Sequence, residues 1–248
     1  AEWSDLYLAD GGIVYFGNDQ DIRLTHNADK GLILKHSATA DDKPVSLTLQ
    51  TGETDIAASD VIGKIDFQAP DEGTGTDAIL VAAGIEAVSE GDFSSSNNAT
   101  KLSFKTAASE AASEKMSLSS AGLLTVTGGI TMTGTTPTLT IGDAGAEDTR
   151  IVFDGNAQDF HIGLDDSADD LVIGVGSALG TTTALAIDEN AGSTFSGTVT
   201  VGVDDTGKDV KFFGATSGSF MLWDESEDTL QVDGDTIFGE SGTTTLIR

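Results

Sequence analysis

Apolar and polar residues alternate along much of the chain, in short segments that polar turns separate. Phe160, Ile162 and Leu164, for example, share one side of an extended segment, with His161 and Gly163 on the other side. This period of two is typical of half-buried β-strands, and the abundance of Gly, Thr and Ser between Val, Ile and Leu favours short strands and tight turns. The pattern predicts an all-β protein of short strands and hairpins.

Three stretches of the sequence align as copies of one repeat. Each copy reads as strand, glycine turn, strand, polar or acidic turn, strand. The predicted strands lie at 13–17, 21–24 and 32–34 in the first copy, at 151–155, 160–164 and 171–173 in the second, and at 210–214, 220–223 and 230–232 in the third. The repeats are unevenly spaced, which is unlike a propeller or a regular solenoid and favours modules along an axis.

A second, shorter repeat follows these units, at residues 126–134, 195–202 and 232–239. In each copy two glycines bracket a few Thr and aliphatic residues that we interpret as a short strand. We expect the glycines to adopt positive φ or to allow neighbouring chains to approach closely.

The stretch from residue 63 to 126 has a different pattern, which we interpret as four strands at 63–69, 79–90, 101–104 and 115–118. Residues 78–88 fit a strand or a helix, and the interruption at Gly84 with Val and Ile at the apolar positions favours the strand. Residues 107–114, which are rich in Ala and Glu, could form one or two helical turns.

The repeats and this central stretch divide the chain into four predicted modules. They are an N-terminal β-repeat module at 1–50, a central β-module at 51–127, a second β-repeat module at 128–202 and a C-terminal β-repeat module at 203–248. A single hairpin or three-stranded ribbon is marginal in water. The sequence therefore predicts an elongated β-structure whose modules are stabilised by stacking or by association with other copies.

Charge and composition exclude several classes of partner. The chain carries a formal net charge of −29, and such an acidic surface repels nucleic acid and anionic membranes. No apolar run is long enough to cross a bilayer, and without cysteine the chain has neither disulfides nor thiolate metal sites. A hydrophobic content of 38% predicts a thin core.

The sequence offers few groups for catalysis. His26, His36 and His161 are the only near-neutral bases, and each reads as an ordinary surface residue without a convincing partner. No nucleophile elbow or phosphate-binding glycine loop is present. We therefore predict that the protein is not an enzyme and has no organic cofactor, and that the aromatic residues are buried packing residues: Trp3, Tyr7, Tyr15 and Trp223.

Two acidic loops are the candidate metal sites, because clustered carboxylates offer the hard oxygen ligands that calcium prefers. The alternative is that the acids simply form solvated hairpin turns, where Asp is common. Neither loop has the ligand spacing of an EF-hand. The candidate calcium ligands are Asp165, Asp166, Asp169 and Asp170 in one loop, and Asp224 and Asp228, with Glu225 and Glu227 between them, in the other.

The order of motifs in the central stretch resembles tail-fibre and related virion proteins of marine bacteriophages. The resemblance lies in a G-x-I-x-F motif at 63–67, Ser-Glu-Gly at 89–91, the segments 99–104 and 114–122, and the Val-Thr-Gly run that follows. It implies a slender homotrimer in which strands of three chains wrap about a common axis. Association of this kind would also close exposed strand edges and turn thin apolar stripes into a shared core.

These observations together predict a non-enzymatic structural protein at the virion surface: a tail fibre, spike or appendage that contributes to host attachment. The expected partners are other copies of the chain, other virion proteins and a host cell-surface glycan or protein. Three alternatives remain open. They are a capsid decoration or head-fibre protein, a secreted bacterial adhesin or filament subunit, and a polysaccharide-cleaving spike, which would need two carboxyl groups held in a sugar groove.

Overall fold

The computed structural model describes residues 5–40, 42–70, 79–234, 236–238 and 245–247. Its regular structure consists of strands in open antiparallel sheets, with no helix in the described ranges. This confirms the predicted all-β class. The chain divides into two compact units, Ala1–Thr133 and Gly134–Arg248, whereas the finer division into four modules stays a prediction.

The first unit contains two sheets of consecutive strands. A three-stranded sheet consists of β1 (Ile13–Phe16), β2 (Ile22–Asn27) and β3 (Gly31–His36). A five-stranded sheet consists of β4 (Val61–Gln68), β5 (Val81–Ser89), β6 (Thr100–Thr106), β7 (Ser113–Leu118) and β8 (Leu124–Val126). The four strands predicted for the central stretch are present, β8 adds a fifth, and residues 107–112 form no helical turn.

The second unit contains three sheets, again of consecutive strands. The largest consists of β9 (Thr149–Phe153), β10 (Phe160–Asp165), β11 (Asp170–Val175), β12 (Thr183–Ile187) and β13 (Ser193–Phe195). The second consists of β14 (Val210–Phe213), β15 (Phe220–Asp224) and β16 (Thr229–Asp233), and the third pairs β17 (Thr236–Phe238) with β18 (Thr245–Ile247). The three copies of the longer repeat are thus confirmed as β1–β3, β9–β11 and β14–β16.

The shorter repeat forms a paired strand in one copy only. The third copy contains β17, but residues 129–133 and 198–201 form no strand, so the prediction of short strands was wrong for the first two copies. Among the described residues no ladder pairs them with another segment. The prediction about glycine holds at several of these positions, with φ of +141° at Gly134 and +136° at Gly234.

Each sheet is a single layer with little cover on its faces. Extensive contacts between strands occur only between hydrogen-bonded neighbours of one sheet. Among the described residues, Val88 and Val172 are the only apolar side chains that are buried. This confirms the thin core, because a layer buries a face only when a second layer packs on it.

The prediction that the aromatic residues are buried was wrong where the structure describes them. Tyr7 is 88% exposed, Tyr15 47% and Trp223 41%, and Trp3 lies outside the described residues. The single-layer architecture explains Trp223, which lies in register with Val210 and Leu230 on a sheet face that no second layer covers among the described residues. Tyr15 lies on the face opposite to Val14, in register with Arg23, and Tyr7 precedes β1 outside any strand.

Candidate functional surfaces

One face of the β9–β13 sheet is almost entirely apolar. Residues that are partners in an antiparallel register share a face, and here apolar partners run across all five strands. We call this set the apolar face of the second unit. Its members are Ile151, Phe153, Phe160, Ile162, Leu164, Leu171, Ile173, Val175, Leu185, Ile187 and Phe195.

Most of this face is open to solvent in the single chain. Phe153 is 60% exposed, and Phe195 on the opposite edge strand is 58% exposed. The three-stranded sheets repeat the arrangement, with Val14, Leu24 and Leu34 in register in one, and Phe212, Met221 and Val232 in the other. Contiguous apolar patches of this extent on a folded protein mark interaction surfaces.

The opposite face of the β9–β13 sheet holds a buried histidine. His161 lies opposite Gly174 in the register and is only 1% exposed, so its prediction as a surface residue was wrong. The segment 176–182 folds over this face. His161 Nδ1 donates a hydrogen bond to the Gly176 carbonyl at 2.9 Å, while its buried Nε2 has no hydrogen-bond partner among the described residues. Burial under a returning loop could not be inferred from the alternation, which correctly placed the ring away from Phe160.

The two other histidines lie near carboxylates that the sequence did not point to. His26 Nδ1 is 3.6 Å from Asp10 Oδ1, and His36 Nε2 is 3.5 Å from Asp21 Oδ2. The expectation that they lack a partner was therefore wrong. Asp10 lies shortly before β1 and Asp21 immediately before β2, so the first pair links β2 to the start of β1 and the second links β3 to the start of β2.

The two acidic loops are built in the same way. Asp165 Oδ1 accepts a hydrogen bond from the Ser167 hydroxyl at 2.7 Å, and Asp224 Oδ1 accepts one from the Ser226 hydroxyl at 2.8 Å. The fourth residue of each loop, Asp169 or Asp228, has positive φ, at +56° and +52°. Asp tolerates this left-handed conformation better than most residues.

A carboxylate from the preceding strand entry closes each acidic loop. Asp148 accepts a hydrogen bond from the Asp166 amide at 3.1 Å, and Asp209 accepts one from the Glu225 amide at 2.9 Å. We call this arrangement the aspartate clamp. It was not predicted, although the recurrence of Asp one residue before β9 and β14 was visible in the sequence.

The described residues contain no group of three or more His, Asp or Glu side chains placed to hold a metal ion. Asp165 and Asp170 are cross-strand partners at the loop base, whereas Asp166 and Asp169 lie in the turn itself. The corresponding Asp224 and Asp228 lie at the base and in the turn of the other hairpin. The hydrogen bonds identify a turn-forming role for several of these acids, which favours the solvated-turn alternative, and calcium binding by the six aspartates is the hypothesis to be tested.

We expect the thermal unfolding midpoint to be the same in calcium and in excess chelator. Asp148, Asp165 and Asp224 already accept hydrogen bonds within the turns, so binding calcium there would require them to exchange partners. A ligand that binds only the folded state at 100 times its Kd would add about 2.7 kcal/mol of stability. Magnesium at matched ionic strength is the control, and a midpoint that rises with calcium alone would establish the metal site.

The five-stranded sheet β4–β8 has one charged face, which lies opposite its apolar face. Its ion pairs join Lys64 to Asp66 at 2.6 Å within β4, Lys105 to Glu86 at 3.2 Å between β6 and β5, and Lys101 to Glu114 at 2.7 Å between β6 and β7. The hydrogen bond from the Lys101 ammonium holds the pKa of Glu114 below its usual range. Sequence analysis missed this face, because only the strand register brings these residues together.

Several carboxylates line a shallow cleft beside this face, as the polysaccharide-cleaving alternative would require. It is lined by Glu86, Glu90, Lys101 and Glu114 together with serine and valine side chains. Glu86 and Glu114 are each paired with a lysine, and no aromatic ring lines the cleft. These carboxylates are therefore held as structural ion pairs in this arrangement.

Comparison with known proteins gives no family assignment. The chain matches no protein-family model and no curated protein. In the ranges that the structure describes, no helix is long and apolar enough to cross a membrane.

Proposed function

We propose that this chain is a non-enzymatic structural subunit of a bacteriophage particle, such as a tail fibre, spike or appendage, and that it works as a homotrimer. The observation that carries the proposal is the set of apolar sheet faces that the single chain leaves open, above all the apolar face of the second unit. The assignment to a phage particle is supported by the motif order at residues 63–128 and by the strand repeats.

The accessible surface of the chain supports association. It is 19200 Å², whereas two separate compact domains of half the mass would together expose about 12,500 Å². The difference is about 6,700 Å² per chain, so the chain leaves far more surface open than compact domains of this mass would. A second or third copy that packs on the apolar faces would provide the missing second layer and the missing core.

The catalytic alternative has less support. A polysaccharide-cleaving spike needs one carboxyl that can give up a proton to the leaving group and one that is free to act as base or nucleophile. Glu86 and Glu114 are paired with Lys105 and Lys101 instead. The remaining alternatives, a capsid decoration protein and a secreted adhesin or filament, have the same physical basis, and localisation distinguishes them.

We expect the purified chain to have the mass of three copies, three times 25.4 kDa or about 76 kDa, by light scattering coupled to size-exclusion chromatography. The trimer should persist on dilution to submicromolar concentrations, because large apolar faces are characteristic of obligate interfaces. A monodisperse folded species at 25.4 kDa would overturn the trimer.

Antibody labelling in the electron microscope tests the setting. Gold-labelled antibodies raised against the purified chain are expected to decorate projections on purified virus particles from the source material, and an unrelated antibody of the same class is the control. Labelling confined to bacterial cell surfaces would replace the virion assignment by the adhesin alternative. Release of reducing sugar from host polysaccharides would contradict the non-enzymatic assignment.

A further inference from the structure

One face of the β1–β3 sheet holds two cations in direct register. Tyr15 on β1 lies opposite Arg23 on β2, and Arg23 lies opposite Lys35 on β3. Partners in a ladder share a face, so the three side chains form a row across the sheet, which we call the basic row. Neighbouring strands lie about 4.8 Å apart, and the row is therefore about 10 Å long.

The basic row is unusual among the described ladders, because in no other one does a cation lie opposite a cation. Like charges directly opposite each other destabilise a sheet. The β4–β8 sheet avoids this cost by pairing the lysines of β6 with glutamates of β5 and β7. Neither Arg23 nor Lys35 forms an ion pair with a described carboxylate. The charges of the row are thus left uncompensated within the chain.

The guanidinium of Arg23 also lacks hydrogen-bond partners. None of the described residues accepts a hydrogen bond from it, and its Nε is buried without a partner. A guanidinium is a planar fork of donors that fits the two coplanar oxygens of a carboxylate. A buried donor that stays unpaired costs free energy, so this side chain favours the arrival of an acceptor from outside the chain.

Tyr15 gives the row an aromatic end. Its side chain is 47% exposed, and it carries an apolar ring together with a hydroxyl that donates and accepts hydrogen bonds. At the next register position the same face carries Ile13, Thr25 and Ile33. An open ring beside charged donors suits a sugar, whose C–H groups pack on the ring while its polar groups take the hydrogen bonds.

The charges on both sides restrict the partner. Two adjacent cations repel a cationic ligand, whereas the net charge of −29 repels a densely charged polyanion such as a nucleic acid. Asp21, the acid closest to Arg23 along the chain, has its Oδ2 3.5 Å from Nε2 of His36. A saccharide that carries isolated carboxylates between neutral sugars meets both conditions.

We propose that the basic row is a binding site for an acidic saccharide. Arg23 and Lys35 bind the carboxylate of one sugar, and the ring of Tyr15 packs against the neighbouring sugar. The inference rests on the proposed function and deepens it, because it assigns the chemical class that such an appendage recognises at the host surface. The row lies opposite the apolar side chains of Val14, Leu24 and Leu34, so association through those side chains leaves it open.

Titration calorimetry on the purified protein tests the site, in salt of about 0.15 M, where a Debye length of about 8 Å screens the distant acids. One probe is a hyaluronan hexasaccharide, in which carboxylate-bearing and neutral sugars alternate. The other is a chitin hexasaccharide, which has the same length and no charge. Binding of the hyaluronan probe alone is expected. Arg23→Gln and Lys35→Gln should each weaken it about tenfold, the loss of one charge-assisted hydrogen bond. Tyr15→Leu should weaken it as well.

Lys30→Gln combined with Lys43→Gln is the matched control. Both lysines are exposed and lie outside the strands, and their replacement removes as much charge as both substitutions in the row. This variant should bind the hyaluronan probe like the unmodified protein. The thermal midpoints should not fall in Arg23→Gln or Lys35→Gln, because each substitution removes the repulsion between the two cations.

Several results would overturn the site. They are no binding of the hyaluronan probe, equal binding of both probes, and binding that Arg23→Gln and Lys35→Gln leave unchanged. Inorganic sulfate that binds as tightly as the probe, with no effect of Tyr15→Leu, would reduce the row to an anion site. Loss of the assembled mass in Lys35→Gln would make the row a contact between copies. The mass of the unmodified protein and its location on virus particles are measured separately, so the proposed function stands or falls independently.

Discussion

The substitution Ile151→Glu is expected to convert the assembled protein into single folded chains of 25.4 kDa. Ile151 lies on β9 in register with Ile162, on the apolar face of the second unit, and is 42% exposed in the single chain. Glutamate is therefore tolerated in the monomer. In the trimer it would lose about 2 kcal/mol of apolar burial per copy and place an unpaired carboxylate in the interface. The total loss is on the order of 10 kcal/mol for three copies.

The neighbouring substitution Val152→Glu is the matched control. Val152 is the next residue of the same strand, has a similar exposure and points to the opposite face. It should leave the assembled mass unchanged. The measurement is light scattering on both variants at equal concentration, with circular dichroism to verify the strand content. Assembly that survives Ile151→Glu and fails in Val152→Glu would show that the other face associates.

Gly174→Ala is expected to destabilise the second unit by about 3 kcal/mol, the effect of overpacking at a site that cannot relax. A β-carbon on Gly174 would lie 2.6 Å from the ring of His161 and 2.7 Å from the Thr182 carbonyl oxygen. The ring cannot move away easily, since it is buried and donates a hydrogen bond to Gly176. The expected result is a lower denaturant midpoint with an unchanged slope.

Two further variants make the Gly174 experiment specific. Gly207→Ala is the control, because its β-carbon would make only an ordinary contact with Glu225 at 3.5 Å. Removing the ring in His161→Ala should reduce the additional cost of Gly174→Ala, since contacting residues show coupled effects. Equal costs of Gly174→Ala with and without the His161 ring would show that the ring is not the cause and would leave the Thr182 carbonyl as the clashing group.

Alternation predicted the strands of the three longer repeats and of the central stretch, because a period of two depends only on the local geometry of an extended chain, but it missed β12 and β18. It placed Ile162 and His161 on opposite faces of β10, as the structure shows. It did not predict how much of either face is covered. His161 is buried by a loop that returns from β11, and Trp223 is exposed because nothing returns over it. Coverage depends on contacts between distant segments, which no local pattern encodes.

The candidate sites show the same limit. The acidic loops were correctly located as hairpin turns, and Asp-x-Ser at 165–167 and 224–226 was a visible signal of a turn whose carboxylate accepts from serine. The ion pair of Lys101 with Glu114 had no such signal, because the two residues come together only through the register of β6 with β7. The prediction of short strands at 129–133 and 198–201 was wrong for a related reason. The composition of these residues suits a strand, but a strand also needs a neighbouring strand to pair with.

The aspartate clamp gives the chain a form of modularity that can be inherited or engineered. In both copies the closing carboxylate, the turn and the serine that completes it lie within about two dozen residues of one another, from Asp148 to Ser167 and from Asp209 to Ser226. Each copy thus contains all the residues that form and close its acidic turn. Duplication of one copy would add a hairpin whose turn is closed by a carboxylate of the same copy, without any compensating substitution in the copies that remain.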